Sequence, residues 1–123
     1  MLLYVKSTIK IQSTYSNYYT VSIYFKEEVV TCLAFLDTGN KLISPYDGSP
    51  IILLDKGLVK NHYQKLLVPC HSINGNTMLE CVKPIYINID KVGKRTKLLV
   101  GLVDEVKIDG VDCILNSRLL ERI

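Results

Sequence analysis

The sequence predicts an all-β domain, closed or sandwich-like, with a short helix at its C-terminal end. Three observations carry that expectation: many short apolar segments with strand periodicity, turn signals every ten residues or so, and only two brief stretches with helical spacing. A length of 123 residues allows one core, so residues 1–123 are read as a single domain. With 48% hydrophobic and 22% charged residues and a net charge of +3, the chain is neither disordered nor a dedicated nucleic-acid binder, which would concentrate more positive charge.

The elements follow in order. Met1–Val5 reads as a strand rather than a signal peptide, because it lacks a basic leader and a cleavage site. Lys6–Gln12 is a further strand candidate. In Tyr19–Phe25, Val21, Ile23 and Phe25 share one face and Thr20, Ser22 and Tyr24 the other, the period of a half-buried strand. Lys26-Glu27-Glu28 then turns the chain into Val29–Leu36, a continuous apolar run, so the two segments form a hairpin. That run is far short of a bilayer span. A polar loop containing Asp37, Pro45, Asp47-Gly48 and Pro50 closes onto the strand Ile51–Leu54. Leu58, Val59, Tyr63, Leu66 and Leu67 have spacings of one helical face, which predicts a short helix over 57–67.

Val68–Ile73 and Thr77–Val82 flank Asn74-Gly75, a two-residue hairpin signal that places Cys70 opposite Leu79. Ile85–Ile89, Lys97–Val103 and Glu105–Ile108 are short strands, Asp109-Gly110 is a turn, and Val111–Leu115 is the last strand. Ser117 is placed to cap a closing helix.

Cys32, Cys70, Cys81 and Cys113 have no C-x-x-C spacing, and His62 and His71 do not complete a zinc set, so no metal or other cofactor is expected and the thiols are expected to be buried. His71 reads as a surface or cross-strand residue. The basic run Lys91–Lys97 reads as a solvated turn, with anionic lipid headgroups as an electrostatic alternative and nucleic acid as a remote rival. Tyr15, Tyr18 and Tyr19 mark an interface or cap the barrel.

Asp37-Thr38-Gly39 has the sharpest chemical reading, because it terminates an apolar strand, unlike Asp47-Gly48 and Asp109-Gly110. In aspartic peptidases two such loops bring two carboxylates to one water, one carboxylate acting as base and the other as acid. Two negative charges about 3 Å apart repel by roughly 5 kcal/mol at an effective dielectric of 20, so such a pair retains one proton. Thr38 would brace the loop through its hydroxyl, and Gly39 removes a Cβ that would block close approach. The competing reading is an ordinary Asp-Gly turn.

Leu36-Asp37-Thr38-Gly39-Asn40, followed by Leu42, Pro45 and Pro50-Ile51, resembles the peptidase domain of the sporulation sigma-E factor-processing peptidases. Val68-Pro69, Lys83-Pro84, Leu99–Leu102 and Cys113–Asn116 with Leu119-Leu120 continue the resemblance, which covers residues 28 to 123. More distantly, Phe35–Gly39 with Ile114-Leu115 and the terminal helix resemble retroviral-type peptidases, in which an apolar pair and a Gly support the active-site loop. Asn116 stands at that Gly position, as the non-Gly residue that best tolerates a left-handed backbone.

The resemblance implies a closed, retropepsin-like (acid protease) barrel and an aspartic endopeptidase with Asp37 catalytic. Thr38, Gly39 and Asn40 would support the active-site loop, and Ile114, Leu115 and Asn116 would form the turn beneath it. No second Asp-Thr/Ser-Gly occurs, so the enzyme would be a homodimer using Asp37 twice. The hairpin tipped by Asn74 and Gly75 would be the flap, and an extended peptide would lie between two subunits. The implied substrate is the sigma-E precursor, which loses its pro-segment in the sporulating mother cell. The implied partners are a signalling protein and a membrane-spanning N-terminal region that holds this domain on the cytoplasmic side of the cell membrane. The alternative is a non-catalytic dimerisation or peptide-binding module on the same fold.

Overall fold

A computed structural model of the chain describes residues 17–72, 75–106 and 108–121. The strands are β1 (Tyr18–Tyr24), β2 (Val29–Asp37), β3 (Ile51–Asp55), β4 (Leu66–Ser72), β5 (Gly75–Val82), β6 (Tyr86–Ile89), β7 (Gly93–Arg95), β8 (Leu99–Val103) and β9 (Cys113–Asn116). A 3₁₀ turn, Lys56–Leu58, follows β3, and one short helix, α1 (Ser117–Leu120), follows β9. The all-β expectation holds. The strands form a nine-stranded sheet in the order β4-β5-β8-β3-β9-β2-β1-β6-β7. Among the described residues, strand pairing does not close a barrel. Among these residues β4 and β7 are the edges, and the three-residue β7, carrying Lys94 and Arg95, is too short and polar to pair across to β4.

β1 and β2 pair antiparallel from Tyr18↔Phe35 to Tyr24↔Val29, the hairpin expected from the alternation of Val21, Ile23 and Phe25, all buried. β3 and β8 run parallel, Ile51↔Leu99 to Asp55↔Val103. They are buried on both faces, which explains their unbroken apolar sequences. Ile52, Leu54 and Val100 join the main core with Ala34, Ile87, Cys113 and Leu115, whereas Ile51 and Leu99 face a smaller cluster with Val68 and Cys81. At Gly101 a Cβ would stand 2.6 Å from Leu79 Cδ2, so the Leu79 side chain would have to give way to any residue larger than glycine.

Several expectations are corrected. Residues 57–67 do not form a helix: beyond the 3₁₀ turn the chain has no regular structure until it enters β4. The cause lies 32 residues upstream, where the Glu28 carboxylate accepts from Lys60 N at 3.0 Å, Asn61 N at 2.9 Å, Asn61 Nδ2 at 3.0 Å and the Tyr63 hydroxyl at 3.1 Å. Those donors satisfy themselves on a remote acceptor instead of a helix ladder. Leu58, Val59 and Tyr63 still reach the core, while Leu66 and Leu67 are exposed.

The β4–β5 hairpin also differs from expectation. Ser72 pairs with Gly75 and Cys70 with Thr77, so the register is shifted by two from the one Asn74-Gly75 predicts, and Gly75 opens β5 instead of closing the turn. A shift of two keeps every side chain on its face, so hydrophobic alternation cannot distinguish the registers. The β5–β8 pairing Cys81↔Gly101 helps to fix it. Asn74 lies outside the described residues, as do Met1–Val5, Lys6–Gln12 and Tyr15.

Glu105 and Val106 belong to no strand. β8 ends at Val103, and Val111 N bonds Ile108 O to close the turn at Asp109-Gly110, where Gly110 has φ +77°. The basic run turns at Lys91 (φ 70°) and then pairs as β7 with β6, a strand too short and polar to show in the sequence pattern. Cys81 and Cys113 are buried, Cys32 and Cys70 are half-buried, and all four are free thiols.

Candidate active site

β2 delivers Asp37 to the site. It lies between β1 and β9, and its last residues run parallel to β9, pairing Leu36 with Leu115 and Asp37 with Asn116. This pairing joins segments almost 80 residues apart and sets the expected support, Ile114-Leu115-Asn116, directly beside the Asp-Thr-Gly loop.

Beyond β2 the chain folds back at once. Asp37 Oδ1 accepts from Gly39 N at 2.8 Å, and Asn40 N donates to Asp37 O at 2.9 Å, so a carboxylate oxygen and a backbone carbonyl together define a tight Asx turn. Gly39 serves this turn directly, because a Cβ there would lie 3.2 Å from Asp37 Oδ1. The second oxygen, Oδ2, accepts no hydrogen bond among the described residues. Asp37 is half-buried, with Thr38 and Gly39 exposed beside it. The expected bracing by Thr38 is not made within one chain: its hydroxyl has no partner among the described residues.

The bracing comes from two asparagines. Asn40 is 7% exposed and Asn116 fully buried. Asn40 Nδ2 donates to Ile51 O at 3.2 Å and Leu115 O at 3.4 Å, and its Oδ1 accepts from Leu42 N at 3.2 Å. Asn116 Nδ2 donates to Leu42 O at 2.8 Å and Ile51 O at 3.3 Å, while its Oδ1 caps α1 by accepting from Arg118 N at 3.0 Å. Both amides are thereby spent, as burial requires. Asn116 has φ −106° and ψ 131°, so it is extended, not left-handed, and it caps the helix in place of the expected Ser117. An amide that satisfies three backbone groups, not tolerance of positive φ, is what this position uses.

Cys113, on the strand beside Asp37, is pushed well above the ordinary thiol range by its hydrogen bond to Cys32 and by burial. Burial also raises Cys81 to about 12, and raises Cys70. These three thiols are thereby held in the protonated form, whereas the same hydrogen bond with Cys113 lowers Cys32. No group of three or more His, Cys, Asp or Glu side chains that could hold a metal occurs among the described residues. Asp37 thus offers an anchored carboxylate with its second oxygen unbonded among the described residues, able to act as base or as acid but not as both at once; Asp55 makes a similar turn with Gly57 N at 2.8 Å but at the end of β3.

An all-β domain that displays a carboxylate on an anchored Asp-Thr-Gly turn has the makings of a hydrolase site. Residues 2–110 match the model of a peptidase family described as sporulation factor SpoIIGA. Among curated proteins, the chain is 36% identical over 99 residues to a probable sporulation sigma-E factor-processing peptidase of Clostridium acetobutylicum. The chain belongs to this family of sporulation sigma-E factor-processing peptidases.

The matched region contains Asp37 to Asn40 and begins well ahead of residue 28, where the resemblance was expected to start. It ends before Ile114; Ile114-Leu115-Asn116, expected as a turn, are instead part of strand β9 paired beside Asp37, and they lie outside the matched region. The alignment covers 74% of this chain and 37% of the relative, so the chain spans little more than a third of that protein's length.

Proposed function

We propose that this chain is the proteolytic domain of an aspartic endopeptidase that acts as a homodimer and removes the pro-segment from the precursor of sporulation sigma factor E. The observation that carries the reading is the Asp37 turn, with one oxygen held by Gly39 N at 2.8 Å on a strand end fixed by buried amides. The sequence contains a single Asp-Thr-Gly, and hydrolysis of an amide needs a base for the attacking water and an acid for the carbonyl oxygen. A two-fold axis beside Thr38 and Gly39 supplies the second carboxylate from an identical turn.

In that assembly Asp37 of one subunit is ionised and takes a proton from the shared water. Its copy is protonated and donates to the carbonyl, since repulsion of about 5 kcal/mol at 3 Å disfavours two charges. The exposed Thr38 hydroxyl faces the second subunit. The sheet is then the subunit of a retropepsin-like enzyme, the β4–β5 hairpin is the flap over an extended peptide, and substrate strands add to it by main-chain hydrogen bonding.

The substrate assignment follows the name of the Clostridium relative. No helix among the described residues is long and apolar enough to cross a membrane. In the proposed whole protein a preceding membrane region anchors this domain on the cytoplasmic side of the mother-cell membrane, where a signalling partner acts on it.

The test is cleavage of the sigma-E precursor by the intact protein and by Asp37→Ala and Asp37→Asn, alongside the dimer content of each. Loss of cleavage with dimerisation and folding retained is the expected result; equal cleavage by the variants removes Asp37 from the mechanism.

A further inference from the structure

A groove of about 450 Å³ lies between the β7 edge, the Gly48–Pro50 loop and the C-terminal helix, and Lys94, Arg95, Thr96, Lys97, Arg118 and Glu121 line it. Four cations against one carboxylate give this one groove a net +3, equal to the net charge of the whole 123-residue chain. The described residues together carry a net charge of −1, so the groove is a local concentration of positive charge on an otherwise acidic background. The ion pair formed among the described residues, Lys56 with Asp104, involves none of the four.

The cations are arranged for different tasks. Arg95 is half-buried and fixed by backbone carbonyls, with Nε donating to Leu119 O at 2.8 Å and Nη1 to Lys94 O at 3.0 Å. A guanidinium held in this way presents its remaining N–H groups to the groove without further ordering cost. Lys94 lies over the Tyr86 ring at 4.5 Å, which steadies its stem end and leaves its N–H donors to a ligand. Lys97 and Arg118 are exposed and make no side-chain hydrogen bond among the described residues. Lys97 also acts on Asp47, but both oxygens of Asp47 are already bonded to Ser49, at 3.0 and 2.8 Å. The Thr96 hydroxyl adds a neutral donor.

We propose that this groove binds a phosphoryl group, as a phosphate monoester or diester. The fit is chemical. A compact, multiply charged tetrahedral oxyanion takes several converging N–H donors, and a pre-positioned guanidinium beside ammonium groups is the set that recognises it. The remainder of the groove wall, Gly48, Pro50 and the buried Leu119, includes no large exposed hydrophobic side chain. The phosphoryl group itself is therefore what is recognised.

The experiment is a titration of the 123-residue chain with inorganic phosphate at constant ionic strength, sodium chloride being withdrawn as phosphate is added, with backbone amide and Arg95 Nε resonances followed by NMR. Saturable shifts confined to Arg95–Lys97 and Arg118–Leu119 are expected, and Lys97→Gln and Arg118→Gln should each weaken them about five- to tenfold with the remaining spectrum unchanged. These two exposed side chains hold no part of the fold, so both variants should fold as the parent does. Non-saturating shifts no larger than those of chloride at equal ionic strength, or binding that both variants leave intact, overturn the proposal.

A second arm separates the sources of the phosphoryl group. Co-sedimentation with phosphatidylcholine vesicles containing phosphatidylglycerol, lost in the two variants, assigns it to a lipid headgroup; phosphate binding without co-sedimentation assigns it to a soluble phosphate. Either result supports the site, and neither depends on Asp37.

Discussion

Asn40 and Asn116, separated by 76 positions in sequence, donate their side-chain amides to the same acceptor, the carbonyl of Ile51, at 3.2 and 3.3 Å. Ile51 begins β3, so this shared carbonyl joins the loop that carries Asp37, the strand entering the core and the residue that caps α1. The two amides reinforce the backbone bonds that this segment makes for itself, Ile51 N to Leu42 O at 3.0 Å and Ser44 N to Ser49 O at 2.9 Å.

The first prediction concerns this pair. Asn116→Ala removes two amide donations and a helix cap from a fully buried position and should cost about 2–4 kcal/mol. Asn40→Ala should cost less, about 1–2 kcal/mol, because Asn116 still serves Ile51 O. The double variant should exceed the sum, since only then does the Ile51 carbonyl lose both of its side-chain amide donors. Urea unfolding of the four proteins measures this. A loss below about 1 kcal/mol for Asn116→Ala would mean that these carbonyls do not depend on the amide.

The second prediction separates placing the carboxylate from folding the domain. In Gly39→Ala the new Cβ meets Asp37 Oδ1 at 3.2 Å, and relief comes from turning the carboxylate away from Gly39 N. The turn is exposed and Gly39 does not have positive φ, so stability should change by less than about 0.5 kcal/mol. On the proposed mechanism precursor cleavage should fall about 10- to 100-fold, because a displaced reacting group loses its orientation. Parallel measurement of cleavage and urea midpoint tests it, and equal loss of both would show a folding defect instead.

What the sequence discloses and what it conceals divide by the range of the interactions. The β1–β2 hairpin is legible because Val21, Ile23 and Phe25 alternate and Lys26–Glu28 turns the chain locally. Asp37 is legible because an apolar strand stops at it. The helix expected over 57–67 fails because its competitor, Glu28, is far away in sequence and leaves no trace in local spacing. The parallel pairing of Asp37 with Asn116 is equally non-local, which is why Asn116 is found as a residue but its task is misread. The β4–β5 register fails for another reason: two registers two residues apart bury the same face, and tertiary pairing of Cys81 with Gly101 bears on which is used.

That pairing yields the third prediction. Gly101→Ala places a methyl 2.6 Å from Leu79 Cδ2 and 3.2 Å from Leu53 Cδ2, between two strands that are already close. Overpacking of this kind should cost about 1–3 kcal/mol. Leu79 is only partly buried, so Leu79→Ala alone should be mild, and combining it with Gly101→Ala should recover most of the loss. A denaturant-based double-mutant cycle gives the coupling; an additive result would locate the strain elsewhere.

The fourth prediction follows from the carboxylate that displaces the helix. For Glu28, partial burial raises the pKa, but the donations from Lys60 N, Asn61 N, the Asn61 side chain and the Tyr63 hydroxyl outweigh it, and the net shift is downward. A carboxylate lowered in the folded state contributes stability that is present above its unfolded pKa and is lost as the pH falls through the folded value. Glu28→Gln keeps the shape but not the charge, so it should destabilise the domain at pH 7 by about 1 kcal/mol or less, given the exposure of the site. The difference from the parent should shrink through the acid range below about pH 4 and vanish once Glu28 itself is protonated. Asp47 and Asp104 are lowered too, by the Ser49 donors and by Lys56 respectively, so the parent's own acid limb is shared among groups, whereas the parent-minus-variant curve isolates Glu28. Urea unfolding at pH 7, 5 and 3 gives that curve, and a difference constant across the three would show that Glu28 acts by shape and not by charge.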